Sequence, residues 1–234
     1  MGTIFRPDWE YRQNKVAARE LVFQNISRLD QIYYAGLPGP KAIFEKSMTS
    51  NHEVSSMTLY ENVSSLFKSL EETAASFDCG VTLLNKNADL DDTLMSEFFN
   101  FIWLDYCGPL TLNRFSRFSR LVPLLAERNG VFAVTYLAAR EPLSFSQRFL
   151  PPGSFTEDFL KSPIPLSLHR RVQFLYSSVE SMGLRFKLTV QPYADRVPML
   201  LFVFSFPEDL SENELTILPY LKGPKHEHQY TIFT

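Results

Sequence analysis

Eight consecutive residues, Ile102-Trp103-Leu104-Asp105-Tyr106-Cys107-Gly108-Pro109, run from an apolar stretch into an acid, an aromatic, a thiol and a Gly-Pro break. A buried strand that delivers polar groups to the edge of a sheet has this form. In open α/β sheets ligands collect outside the carboxyl ends of the strands, so Asp105 and Tyr106 are candidate catalytic residues. A carboxylate at such a point can accept a hydrogen bond from an amine and aim its lone pair at a reaction partner. An aromatic ring can stack on a flat substrate. The alternative is that Asp105 caps the next helix and Tyr106 simply packs. Cys107 reads as an inert buried thiol.

Further groups with chemical potential recur at similar positions. Gly36-Leu37-Pro38-Gly39-Pro40 follows a short β-branched and aromatic run and precedes a helix. A strand, a tight Gly/Pro turn and a helix open a mononucleotide-binding unit, where backbone amides approach a ligand closely. The same residues would also make a plain β-α turn, because the dinucleotide G-x-G-x-x-G pattern is absent. Glu61 lies 25 positions after Gly36, at the end of the next strand. That is near the spacing of roughly 20 at which a strand-end acid meets a ribose hydroxyl. Asn62 stands where it can cap the following helix. Asp89 falls in the third strand-to-helix loop, free either to cap that helix or to bond an adenine amine. Arg114, Arg117 and Arg120 recur every third residue on one helix. With Arg140, Arg148, His169, Arg170 and Arg171 they could form a basic margin suited to phosphates, or a solvated face. His226 and His228 make too small a set for zinc, so no metal is expected.

These groups need a framework, and the pattern of apolar runs supplies one. Strands are expected at residues 31–35, 54–61, 81–84, 101–104, 131–137, 184–190 and 197–206, with helices at 11–25, 41–49, 63–76, 91–99, 110–128 and 166–182. The run 131–137 is nearly all apolar, as a central strand covered on both faces must be. The last two strands, joined by a short turn containing Pro192 and Asp195, should pair antiparallel. The result is an α/β, doubly wound, seven-stranded sheet, mostly parallel, with a C-terminal antiparallel strand pair. Three segments are expected: a helical cap over residues 1–28, the α/β domain over 29–207, and a tail over 208–234 that packs on the domain or extends from it. With 234 residues, one such domain can bury a substantial core.

The net charge of -3 gives no global drive towards nucleic acid or membrane. Two cysteines do not build a disulfide scaffold. The sequence shows neither a membrane-spanning run nor an apolar signal core. The expected location is intracellular, in cytoplasm or nucleus.

Five β-α units, one more helix and an antiparallel hairpin form an order that resembles the class I S-adenosylmethionine-dependent methyltransferases, over roughly residues 28–206. The resemblance implies S-adenosylmethionine as cofactor. It sets Gly36, Leu37, Pro38 and Gly39 beside the methionine part, Glu61 with Asn62 at the ribose, and Asp89 near the adenine. Asp105 and Tyr106 stand where the family places residues that position the acceptor for in-line methyl transfer, and Arg114, Arg117 and Arg140 become candidate substrate contacts. A nucleic acid, RNA or DNA, is the expected acceptor class, with a protein or a small molecule as the alternatives. Tyr34 stands where the family commonly has an acid, and Pro38 and Pro40 interrupt the glycine loop. Those departures define the alternative: a methyltransferase-like binding or assembly subunit without catalysis.

Overall fold

The computed structural model describes residues 12–39, 41–106, 108–137, 166–195 and 197–221. The chain begins with helix α1 (Gln13–Ile26), then alternates β1 (Ile32–Gly36), α2 (Ile43–Asn51), β2 (Val54–Tyr60), α3 (Ser64–Ala74) and β3 (Gly80–Leu84). It continues with α4 (Thr93–Ser96), β4 (Phe101–Asp105), α5 (Leu112–Glu127), β5 (Val131–Leu137) and α6 (Leu166–Glu180). Strands β6 (Lys187–Asp195), β7 (Val197–Ser205) and β8 (Glu214–Ile217) close the series.

The eight strands form one sheet in the order β3-β2-β1-β4-β5-β7-β6-β8. Strands β1 to β5 run parallel, β7 is antiparallel to both β5 and β6, and β8 is parallel to β6. The chain moves outwards from β1 to β3 and then returns to lay β4 on the other side of β1. At that reversal the connections leave the sheet in opposite directions, and a crevice opens between them.

Alternation along the central strands explains why their sequences are apolar throughout. In β4, Phe101 and Trp103 join one core with Ala18, Val22 and Ile26 of α1 and Phe44 and Met48 of α2. Ile102 and Leu104 join the other core with Phe118, Leu121 and Leu125 of α5 and Leu175 and Val179 of α6. A strand covered on both faces has no solvated side to mark with polar residues. No helix among the described residues is long and apolar enough to cross a membrane.

Three expectations change. The sheet has eight strands, not seven, because residues 214–217, placed in the tail by the sequence, pair with β6 from Lys187↔Glu214 to Val190↔Ile217. Its short, half-exposed edge position asks for little apolar content, so a four-residue strand with a charged first residue left no clear mark. Pro192 lies within β6 rather than in the turn. Its carbonyl accepts from the Leu221 N–H on the side away from β7, so its missing N–H also falls on that side and the ladder with β7 loses nothing. Lastly, α4 is a single turn where a longer helix was expected.

Candidate active site

The crevice is a cavity of about 740 Å³ at the carboxyl ends of β1, β2, β3 and β4. Leu37, Pro38, Gly39, Glu61, Asn62, Asp89, Asp105, Tyr106 and Arg114 line it, so nine of the residues singled out by sequence share one space. Gly36 lies beneath the wall instead. A Cβ there would collide with the Tyr34 phenol and come within 3.0 Å of the Trp103 carbonyl. Glycine at this position makes room for Tyr34, not directly for a ligand.

Tyr34 is fully enclosed and its hydroxyl donates to Glu45 Oε1 at 2.9 Å. Burial first, and then the Glu45 charge, push the Tyr34 hydroxyl well above its usual ionisation range, so it stays a donor. Glu45 reaches this position because the turn after β1 is tight. The Leu37 N–H donates to the Trp103 carbonyl and the Ala42 N–H to Gly39, and Ala42 takes a left-handed φ of 43° just before α2. The first turn of α2 then brings Ile43, Phe44 and Glu45 to the cavity wall.

At the end of β2, Glu61 is half-buried. The Val63 N–H donates to Glu61 Oε1 at 2.7 Å, fixing the carboxylate at the start of α3. Desolvation raises the Glu61 carboxyl above its ordinary value, and backbone hydrogen bonds partly oppose that shift.

Asp105 and Tyr106 follow one another and so leave the sheet on opposite faces. Asp105 shares the side of Trp103. Tyr106, only 5 % exposed, belongs to the core beneath α5. Its hydroxyl donates to Asp89 Oδ1, and the Arg114 guanidinium lies 4.3 Å above its ring. Arg114 Nε is also 3.5 Å from Asp89 Oδ2, and Nη1 donates to the Pro109 carbonyl at 2.7 Å. Gly108 permits this approach, since a Cβ there would come within 2.7 Å of Arg114 Nη1. Tyr136 stacks on Tyr106 with centroids 5.7 Å apart, and its buried hydroxyl has no hydrogen-bond partner among the described residues. The result is a closed polar network, not an open stacking platform.

The arginine series divides. Arg114 lines the cavity, but Arg117 is 5 % exposed and turns inwards, donating to the Asp89 carbonyl at 2.9 Å. It does not join an exposed margin: it stands four residues before Leu121 and eight before Leu125, on the buried stripe of α5. That spacing was the available signal. Arg120 is exposed, 3.8 Å from Asp92. Arg140, Cys107, His226 and His228 lie outside the described residues. Among the described residues no group of three or more His, Cys, Asp or Glu side chains is placed to hold a metal.

Sequence reasoning missed Glu45, Trp103 and Lys86, and also Lys15 and Arg19, which α1 contributes to the cavity. Lys15, Arg19 and Phe23 are spaced by four, so they share a face. Phe23 stacks on Phe44 of α2 at 4.7 Å, which turns that face towards the cavity.

The sequence matches no protein-family model and no curated protein. Solved structures do match. A Listeria monocytogenes protein assigned to the class I S-adenosylmethionine-dependent methyltransferases aligns over 92 % of this chain at 9 % identity, TM-score 0.50. This chain spans 65 % of that protein's length. The METTL16 methyltransferase domain aligns over 83 % of this chain and 68 % of its own at 12 % identity, TM-score 0.53. A bacterial Hen1 methyltransferase domain aligns over 80 % and 96 % at 10 % identity, TM-score 0.51. With the strand order, the reversal beside β1 and the antiparallel β7, the chain has the class I S-adenosylmethionine-dependent methyltransferase fold, in a divergent form.

Proposed function

We propose that this chain is an S-adenosylmethionine-dependent methyltransferase whose cofactor occupies the 740 Å³ cavity. The observation that carries the reading is the convergence, at the topological reversal, of the turn at 37–39, the tethered carboxylate of Glu61 and the strand-end Asp105 in that one space. The cavity's size falls in the range of small-molecule sites. Bound there, the cofactor supplies an electrophilic methyl group on its sulfonium. Glu61, held by the Val63 N–H, accepts from ribose hydroxyls, with Asn62 beside it. Leu37, Pro38 and Gly39 give close approach, and Gly36 supports them from below. Asp89 lies along the adenine side.

For the reaction itself, Asp105 accepts a hydrogen bond from the acceptor and fixes its direction of approach. Tyr106 acts by holding Asp89 in place. The acceptor class we favour is a nucleic acid. The support is cationic: Arg120 is exposed on α5, and Arg114 and Lys86 stand at the cavity. Arg140 remains a candidate contact for the same backbone.

Calorimetric titration with S-adenosylmethionine and S-adenosylhomocysteine tests the cofactor. Absence of both heat and thermal shift at millimolar ligand would overturn the reading. Transfer of a labelled methyl group to RNA and DNA, but not to protein, is the result expected for the acceptor. A second reading, a binding or assembly subunit without catalysis, draws on the closure of the Tyr106, Asp89 and Arg114 network on itself. Cofactor binding without transfer to any acceptor would favour it.

A further inference from the structure

We propose that β3 pairs with β3 of a second copy of this chain, antiparallel and about a two-fold axis at Thr82, so that one sheet runs on through both copies.

The sheet has two outer strands, and they differ in protection. Strand β8 opens with Glu214, whose carboxylate holds Lys187 Nζ at 3.2 Å, so charge blunts that edge. Strand β3 reads Gly80-Val81-Thr82-Leu83-Leu84, with no charge and no proline. Its register against β2 is unbroken from Gly80 to Leu84, so no bulge twists it away. Among the described residues no strand lies on its other side. An edge without those protections is a template for a further strand.

The backbone decides which residues that strand would meet. The Leu84 carbonyl accepts from the Glu61 N–H at 3.1 Å, so Leu84, and with it Thr82 and Gly80, turns its backbone groups to β2. Val81 and Leu83 therefore aim theirs at the open side. An antiparallel copy centred on Thr82 sets Val81 opposite Leu83 of the second copy, and Leu83 opposite its Val81. Each such pair exchanges both of its backbone hydrogen bonds. The side chains of Val81 and Leu83 are half-buried at the rim of the core that holds Met57 and Leu59, so the same pairing extends that core across the axis.

Charge says that the occupant is this chain itself. Asp78 is exposed just before β3, and Lys86 is exposed just after it. The two-fold pairing brings the Asp78 end of each copy to the Lys86 end of the other. Parallel pairing of the same edges would set like charges together at both ends. Lys86 already holds Asp91 at 3.1 Å, but its side chain is 54 % exposed and its ammonium has further donors to give.

Sedimentation of the full chain between about 1 and about 200 µM tests this, since a short edge makes a small, concentration-dependent interface. The wild type should move from one chain to two over that range; a single chain throughout overturns the proposal and leaves the edge to a strand of another protein. Thr82 is exposed in the single copy, so Thr82→Lys and Thr82→Glu should each leave circular dichroism and thermal unfolding of the single chain unchanged. At the axis each variant faces its own charge, which should weaken its dimer roughly tenfold or more. Mixing the two variants should restore pairing to wild-type strength or better. A dimer that persists undiminished in either variant alone, or a mixture that pairs no better than its parts, refutes the axis at Thr82.

Discussion

The Tyr106 hydroxyl donates to the Asp89 carboxylate, tying the end of β4 to the loop that follows β3. Two strand ends that are not neighbours in the sheet are thereby held in one geometry, with Arg114 closing the set over the Tyr106 ring. Tyr106→Phe removes the donor but keeps the ring, so the loss should be about 1 kcal/mol in urea unfolding. Asp89→Asn keeps an acceptor and removes the charge opposite Arg114. It should cost more than Tyr106→Phe, and the double variant should lose less than the sum of the two.

Alkaline pH should unfold this protein through its buried phenols. Tyr34, Tyr106 and Tyr136 all lie above the usual value of 10.0, chiefly through burial, so the native chain keeps protons that the unfolded chain releases. Their contribution is fully present below pH 10 and is lost as pH rises beyond it. Denaturant titrations between neutral pH and about pH 11 should show falling stability from pH 10 upwards. Phenolate absorbance should reveal a group of tyrosines that titrate only on unfolding. A native-state titration accounting for all ten tyrosines near the ordinary value would contradict the burial argument.

Glu61 presents the opposite case, a group whose charge costs the folded chain stability and, on the proposed reading, serves binding. Its carboxyl is raised above 4.5 by desolvation, so ionising it is unfavourable to the folded chain. Relative to Glu61→Gln, the wild type should be at its most stable below pH 4.5 and lose ground as pH rises through the raised value. At neutral pH Glu61→Gln should equal or exceed the wild type in thermal stability, since the amide oxygen still accepts from the Val63 N–H. Cofactor affinity should fall roughly tenfold in the same variant, read by calorimetry.

Gly36→Ala should be severely destabilising, by about 2 kcal/mol or more, because the new methyl meets the Tyr34 phenol and the Trp103 carbonyl. In a Tyr34→Leu background the phenol is gone and only the carbonyl contact remains. The added cost of Gly36→Ala should then drop to less than half. Equal cost in both backgrounds would assign the glycine to the backbone or to the cavity rather than to Tyr34.

Arg117 and Arg120, three residues apart, should respond differently. Arg117→Ala leaves the Asp89 carbonyl without its donor and opens space under α5, a loss of about 2–3 kcal/mol by thermal or chemical unfolding. Arg120→Ala removes an exposed side chain 3.8 Å from an exposed acid and should fall within about 0.5 kcal/mol of the wild type. For nucleic-acid contact, Arg120→Ala should instead lower the salt dependence of binding.

How much the sequence disclosed depends on what each residue answers to. Strands β4 and β5 were legible because burial on both faces demands continuous apolar runs, and Val131–Leu137 has no other plausible use. Glu61 and Asp105 were legible because a strand end is a position that the sequence marks. Glu45 was not: an acid in the first turn of a helix is sufficiently explained by the helix dipole, and its contact with Tyr34 depends on a turn whose geometry no local pattern encodes. Asp105 and Tyr106 were both assigned to the site from their place at the end of a strand, whereas the pleat sends adjacent side chains to opposite faces. Lys15 and Arg19 were hidden for a further reason: their place at the cavity follows from helix-to-helix packing between distant segments.

The single amide of Asn14 reaches both the hairpin end at Ala194 and the stretch beyond β8 at Leu221, partners 180 and 207 positions away. Lys15 is the next residue along. The start of α1 is therefore fastened by one bond to the hairpin and by a second that exists only once residue 221 is in place. During synthesis the parallel strands can assemble early, while the second bond of Asn14 forms only with the last part of the chain. A chain stopped after Phe206 would retain β1 to β7 and lose both β8 and the Leu221 anchor. The start of α1 is thus secured in two steps, and a nascent or shortened chain holds Asn14 by the hairpin bond alone.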